Sequence, residues 1–234
     1  MQRYFALDKR DDLIILDESD LHHIVNVMRM RSGDFVEAVF DKVLYKCKVV
    51  IDDGVSVFVD SIMESFDNSF EIVLIVPVLK EQKMDLVLQK ATELGVSRII
   101  PIMCERCVVK LNDKESRKLD RWNRIVKEAS EQCKRISVPV IDSVCDISSL
   151  NFSDGVKLVC STRENEKNIK NVMHNVLECA KMYIVVGPEG GLSLYEEQKL
   201  NDMGFVSISL GKRIMRVETV PLFVLSILNY EMME

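Results

Sequence analysis

Two hydrophobic periods divide the chain. Over roughly the first 65 residues apolar positions come in short runs broken by charged turns. Arg3 to Leu7 and Leu13 to Leu16 flank Asp8-Lys9-Arg10-Asp11-Asp12, and both read as short strands. Ile24, Val27 and Met28 then recur at helical spacing behind Asp20, which suits an N-cap, and Ser32-Gly33-Asp34 ends that helix. Phe35–Phe40, Leu44–Ile51 and Val55–Ser61 follow as strands; the Asp52-Asp53-Gly54 turn between β-branched runs is a hairpin signal. One short helix among several short strands predicts a small β-barrel over residues 1–68, closed by the polar stretch Glu64 to Ser69.

From residue 69 to 234 the pattern changes. Glu71 to Val78 is a continuous apolar run, as in a strand buried on both faces. Lys83 to Leu94 carries Met84, Val87, Leu88, Ala91 and Leu94 on one helical stripe before Gly95. Strands at Arg98–Met103, Lys157–Cys160, Met182–Val186 and Phe205–Leu210 alternate with helices at Asp113–Lys134, Asn165–Leu177, Ser193 onward and Thr219–Tyr230. Ser193 with Glu196 three residues on forms a capping box. Strands alternating with helices predict an α/β domain: a mostly parallel sheet with helices on both faces.

Composition changes this picture little. The longest late apolar run, Pro221 to Leu228, is far short of the roughly 20 residues a membrane helix needs, so a soluble, cytoplasmic protein is expected. Seven cysteines, an odd number without regular spacing, suit reduced thiols. Cys104-Glu105-Arg106-Cys107 has no second pair to complete a zinc site and is followed by extended Val108-Val109 rather than a helix; no metal is expected. Charge is more informative. The net charge is −6, yet Lys80 to Arg135 holds 14 Lys and Arg against nine Asp and Glu. A basic region on an acidic chain suits a specific docking surface, and equally a pair of solvated helices.

The candidate chemistry lies in two loops, each after a strand. Val186-Gly187-Pro188-Glu189-Gly190-Gly191 is neither a dinucleotide fingerprint nor a phosphate loop. Its glycines let backbone groups approach a flat polar ligand, and Glu189 could hold a ribose hydroxyl or a cation; a tight turn capped by Ser193 is the plain alternative. Leu210-Gly211-Lys212-Arg213-Ile214-Met215-Arg216-Val217-Glu218-Thr219 crowds charge before an apolar helix, where Glu218 or Thr219 could also serve as a cap. Loops at strand ends are where open α/β sheets place ligands.

Together these motifs resemble the bacterial small-subunit rRNA uridine-N3 methyltransferases of the SPOUT class. The likeness extends through His23-Ile24, Val27-Met28-Arg29, Gly33-Asp34, Lys83-Met84-Asp85, Gln89 to Val96, Glu105-Arg106-Cys107, Val109-Lys110 and Glu131-Gln132-Cys133 to Arg135. Val217 and Val220 depart from it, standing where threonine and a small residue are usual. Ser161-Thr162-Arg163-Glu164 has no clear counterpart.

The resemblance implies a PUA-like, RNA-binding barrel before a SPOUT domain with a C-terminal trefoil knot. It implies S-adenosylmethionine as cofactor, 16S rRNA or the small ribosomal subunit as partner, and a homodimer through the knotted domain. Cofactor contacts then fall on Val186, Gly187, Pro188, Glu189, Gly190, Gly191, Leu210, Gly211, Ile214, Met215, Arg216 and Thr219. Arg216 is the expected catalytic cation, stabilising a uridinate, with Glu218 orienting it or accepting the proton. Arg29, Arg31, Lys83, Arg106, Lys110, Lys134, Arg135 and Arg213 are expected RNA contacts. A ribose 2′-O methyltransferase and a non-catalytic RNA-binding assembly factor are the rival readings.

Overall fold

The computed structural model describes residues 1–65, 70–109, 115–152, 154–172 and 180–232. Two compact units emerge, Met1–Asp67 with Lys127–Val138, and Asn68–Val126 with Pro139–Glu234.

The first unit is built on six strands: β1 (Arg3–Phe5), β2 (Asp8–Arg10), β3 (Leu13–Ile15), β4 (Phe35–Phe40), β5 (Val43–Ile51) and β6 (Val55–Met63). Their order is β1-β4-β5-β6-β3-β2, so the two edges, β1 and β2, are consecutive pieces of one stretch of chain. Between them the Ala6 N–H donates to Val39 O and the Leu7 N–H to Ile15 O, so the link between the two edge strands bonds to β4 on one side and to the end of β3 on the other. Tyr4, Ile14, Ile24, Val36, Cys47 and Val57 fill the interior. Residues 127–138 join this unit through Ile136, which packs with Val39 and Leu44; helical periodicity alone does not reveal that partner.

The short helix differs from expectation. Helix α1 (Glu18–His22) is capped by Asp17, whose Oδ1 accepts from the Asp20 N–H at 2.8 Å. Asp20 is instead buried, its carboxylate 2.7 Å from Lys127 Nζ. A π-helical turn, His23–Val27, follows. The wider turn takes Val27 and Met28 off the buried face, leaving them 59% and 44% exposed while Ile24 stays buried.

The second unit contains β7 (Glu71–Pro77), α2 (Glu81–Glu93), β8 (Arg98–Met103), most of α3 (Glu115–Gln132), β9 (Val140–Ile141), β10 (Cys145–Asp146), β11 (Val156–Cys160), β12 (Lys181–Val186), α4 (Leu194–Asp202), β13 (Val206–Ile208) and α5 (Thr219–Glu231). All its strand pairings are parallel, in the order β10-β8-β7-β12-β11-β13, with β9 also on β8. Strands β7 and β12 are apolar and buried along nearly their whole length, as a sheet covered on both faces requires. Residues 169–172 are helical; residues 173–177 of the helix expected there, and Asp113–Lys114 of the one before it, lie outside the described residues. Helix α5 packs on α2, where Asn229 Nδ2 donates to Leu94 O at 2.6 Å.

Candidate active site

Three adjacent strands end level with one another. Cys160 of β11 pairs with Val186 of β12 on one side and Ile208 of β13 on the other. The loops that leave these residues therefore emerge side by side at the carboxyl edge, where the connection from β12 crosses β11 to reach β13.

The glycine loop is shaped by its own contacts. The Gly191 N–H donates to Pro188 O at 2.8 Å, and Gly191 takes a φ of +68°, favoured by glycine. At Gly187 the chain folds back so closely that a Cβ would lie 3.1 Å from Leu192 N. The expected capping box is present: the Glu196 N–H donates to Ser193 Oγ at 3.2 Å and the Ser193 N–H to Glu196 Oε2 at 2.7 Å. Glu196 Oε1 also accepts from the Glu105 N–H at 2.8 Å. Arg106 donates to Gly190 O at 3.0 Å. The Cys104–Cys107 turn is thereby tied to the middle of the loop and to the first turn of the helix that follows it.

A cavity of about 570 Å³ opens between the loops. Val186, Gly187, Pro188, Glu189, Gly190, Gly191, Ile214, Met215 and Arg216 of the expected cofactor set line it. Leu210 and Gly211 line an adjoining cavity of about 260 Å³, which Arg213 shares. Thr219 lines neither; it opens α5 with its N–H on Arg216 O at 2.9 Å. Val217 and Val220 add apolar wall.

The charged groups divide in two. Lys83 Nζ donates to Glu189 Oε1 at 2.9 Å and lies 3.2 Å from Glu218 Oε2, a buried oxygen that makes no hydrogen bond. Hydrogen bonding to Glu189, against some desolvation, holds the Lys83 ammonium above its ordinary value. Burial pushes the Glu189 carboxyl up, but Lys83 outweighs it and the net shift is down. Glu218 occupies the N-cap position of α5 without capping it, and no hydrogen bond or ion pair joins it to Arg216 among the described residues. Arg216 is left exposed at the cavity.

The remaining expected RNA contacts differ in their surroundings. Arg29 and Arg31 are exposed on the barrel, Arg29 with a φ of +54°. Lys134 ion-pairs with Glu37 at 3.2 Å and donates to Met1 O, and Arg135 donates to Ser137 Oγ at 3.4 Å. Lys110 lies outside the described residues.

Sequence reasoning missed the third loop. Thr162 and Arg163 line the main cavity. Arg163 pairs with Glu197 at 2.8 Å and donates to Leu192 O at 2.9 Å, while Ser161 Oγ donates to Glu197 Oε1 at 2.8 Å. Its one signal was position, directly after the apolar run that becomes β11.

The cysteine pair carries its own electrostatics. Cys107 Sγ accepts from the Cys104 N–H at 3.2 Å. A hydrogen bond from the Cys104 thiol lowers Cys107 to about 7 despite its partial burial, and the same contact raises Cys104.

Comparison with known proteins gives the class first. An RNA methyltransferase domain model matches residues 67–229, and an RNA methyltransferase PUA domain model matches residues 16–59. Ribosomal RNA small subunit methyltransferase E of Bacillus subtilis (strain 168) is 34% identical over 99% of this chain and 97% of its own length. Its counterpart from Mesomycoplasma hyopneumoniae (strain 232) is 31% identical over 97% and 98%. Among solved structures, ribosomal RNA small subunit methyltransferase E from Neisseria gonorrhoeae, bound to S-adenosyl methionine, superposes with a TM-score of 0.88 at 27% identity, covering 99% of this chain and 98% of that one. The chain belongs to the RNA methyltransferase family that includes these ribosomal RNA small subunit methyltransferases E.

Proposed function

We propose that this chain transfers a methyl group from S-adenosylmethionine to N3 of a specific uridine in 16S rRNA. The observation that carries this reading is a cavity lined both by the glycine loop and by Arg216. Its volume of about 570 Å³ and its mixture of apolar side chains with glycine backbone suit an adenosine and a methionyl sulfonium chain. Gly187 to Gly191, with Ile214, Met215 and the Leu210-Gly211 segment beside them, would hold the cofactor. When bound, S-adenosylmethionine supplies an electrophilic methyl group on a sulfonium.

The chain's own residues then have three tasks. The loops exclude water and fix the reactants in contact. The Arg216 guanidinium hydrogen-bonds the uracil oxygens and stabilises the uridinate formed when the N3 proton passes to Glu218 or to solvent. Glu218 belongs to the same catalytic loop, its carboxylate held by Lys83. Uridine N3 takes part in base pairing, so the target is an unpaired or flipped-out nucleotide. Arg29, Arg31 and Arg213, all exposed, are the phosphate contacts of this reading, with the barrel as an RNA-binding module.

A second copy of the chain is the partner proposed for the apolar groove of about 910 Å³ beside α5, lined by Phe223, Ile227 and the 74%-exposed Tyr230. Sedimentation of the parent as a dimer, and of Tyr230→Asp as a monomer, is the expected result. Among the described residues no helix is long and apolar enough to cross a membrane, and the proposed substrate sets the site of action in the cytoplasm.

The reading is tested by incubating the chain with labelled methyl donor and 30S particles, naked 16S rRNA or tRNA, then mapping the modified nucleoside. N3-methyluridine in 16S rRNA is expected. A 2′-O-methyl nucleoside, or no transfer to any RNA, overturns it.

A further inference from the structure

One ammonium group bridges the two loops that form the main cavity. Lys83 stands in the first turn of α2, and Glu189 lies 106 residues further along the chain. Its Nζ is 2.9 Å from Glu189 Oε1 in the glycine loop and 3.2 Å from Glu218 Oε2 at the end of the second loop. Among the described residues neither carboxylate has another ion-pair partner. Two carboxylates on neighbouring loops repel, and the repulsion grows as water is excluded between them. A cation on a third element converts that repulsion into a clamp. Glu218 Oε2 is buried without a hydrogen bond, so its position depends on the charge of Lys83 rather than on a local cap.

We infer that Lys83 is a positioning residue, a charge clamp that fixes the glycine loop against the Arg216 loop and so sets the width of the cofactor cavity. This role rests on the S-adenosylmethionine reading of that cavity. It replaces the phosphate contact that the sequence suggests for Lys83, because the ammonium is already committed to two acids. Arg216 is two residues before Glu218, so the clamp also fixes where the catalytic guanidinium starts from. The raised Lys83 and lowered Glu189 agree with an ion pair that stays charged.

The test uses the full chain and compares the parent with Lys83→Gln, Lys83→Arg, Glu189→Gln and the Lys83→Gln/Glu189→Gln double variant. Calorimetry gives the Kd for S-adenosylmethionine, steady-state kinetics the kcat and the KM for 16S rRNA substrate, and thermal melts of the unliganded chain the stability. Losing a charge-assisted contact in Lys83→Gln should raise the cofactor Kd about tenfold. The kcat should fall and the KM for RNA should hold, while the unliganded chain should melt at a lower temperature because the two carboxylates lose their shared cation. Lys83→Arg, whose fork can engage both acids, should recover most of the affinity. The double variant should lose less than the product of the two single losses, since both remove one shared contact. A raised KM for RNA with unchanged cofactor Kd in Lys83→Gln overturns the clamp and restores the phosphate contact. Strictly multiplicative losses overturn it as well. A parent chain that fails to bind S-adenosylmethionine overturns the cofactor reading itself, and the clamp with it.

Discussion

Glu131→Gln should make the protein more stable at pH 8 and leave it unchanged near pH 4.5. Glu131 is 7% exposed in a cluster where three carboxylates share one ammonium. Lys127 Nζ is 2.8 Å from Asp17, 2.7 Å from Asp20 and 3.4 Å from Glu131, whose Oε1 has no hydrogen bond. Tyr4 faces the same cluster, its hydroxyl 2.9 Å from His23 Nδ1. Burial first, and then the Asp20 charge, push Glu131 from an ordinary 4.5 to about 7, against the pull of Lys127 and a hydrogen bond from the Phe5 N–H.

Between those two values the folded chain keeps a proton that the unfolded chain has released. Stability from this group is therefore complete below pH 4.5, declines as pH rises, and is lost above about 7. The gap corresponds to about 3 kcal/mol. Asp20, also raised, acts in the same sense from its own lower value, while Asp17, held low chiefly by Lys127 against its burial, acts in the opposite sense below the window. Glutamine has no proton to lose, so the parent and variant curves should meet near pH 4.5 and diverge to about 3 kcal/mol by pH 8. Urea unfolding followed by far-UV circular dichroism at pH 5, 6, 7 and 8 measures the difference. A gap independent of pH, or one that widens towards acid, refutes the reasoning. Lys127→Met is the opposite perturbation: it strands the acids without a cation and should cost about 3–5 kcal/mol at neutral pH.

Four further outcomes are expected. Gly187→Ala should destabilise by about 1–3 kcal/mol and weaken cofactor binding, because its Cβ would meet the Leu192 backbone at 3.1 Å; denaturation and calorimetry read both. Gly191→Ala has open space but must hold a φ of +68°, so its cost should stay near 1–2 kcal/mol. Arg216→Gln should lower kcat about a hundredfold, and Arg216→Lys should not restore it, since an ammonium lacks the planar fork; single-turnover methyl transfer decides this. Cys107 should be alkylated by iodoacetamide with a midpoint below that of an ordinary thiol while Cys104 stays unreacted, as peptide mass spectrometry would show.

Much of this molecule is local and was legible without coordinates. The buried runs of β7 and β12, the apolar stripe of α2, the Ser193–Glu196 capping box and the Pro188–Gly191 turn depend on neighbours a few residues away. Their signals therefore lie in a short window of sequence. Where a local rule failed, a distant group had intervened. Asp20 reads as a cap, but Lys127 draws it into a buried cluster and Asp17 takes the cap; the π-turn then rotates Val27 and Met28 away from the core.

By itself the sequence determined the two structural regimes, most of the strands and helices, and two of the three loops that line the main cavity. Tertiary structure decided what those pieces face. Strand order β12-β11-β13 and the level register of Val186, Cys160 and Ile208 brought Thr162 and Arg163 into the cavity. The packing of α2 put Lys83 between Glu189 and Glu218, and Ile136 carried residues 127–138 to the barrel. Periodicity records which face of an element is buried. It carries no information on which distant element buries it, because parallel pairing and charge pairing join residues whose separation along the chain leaves no local trace.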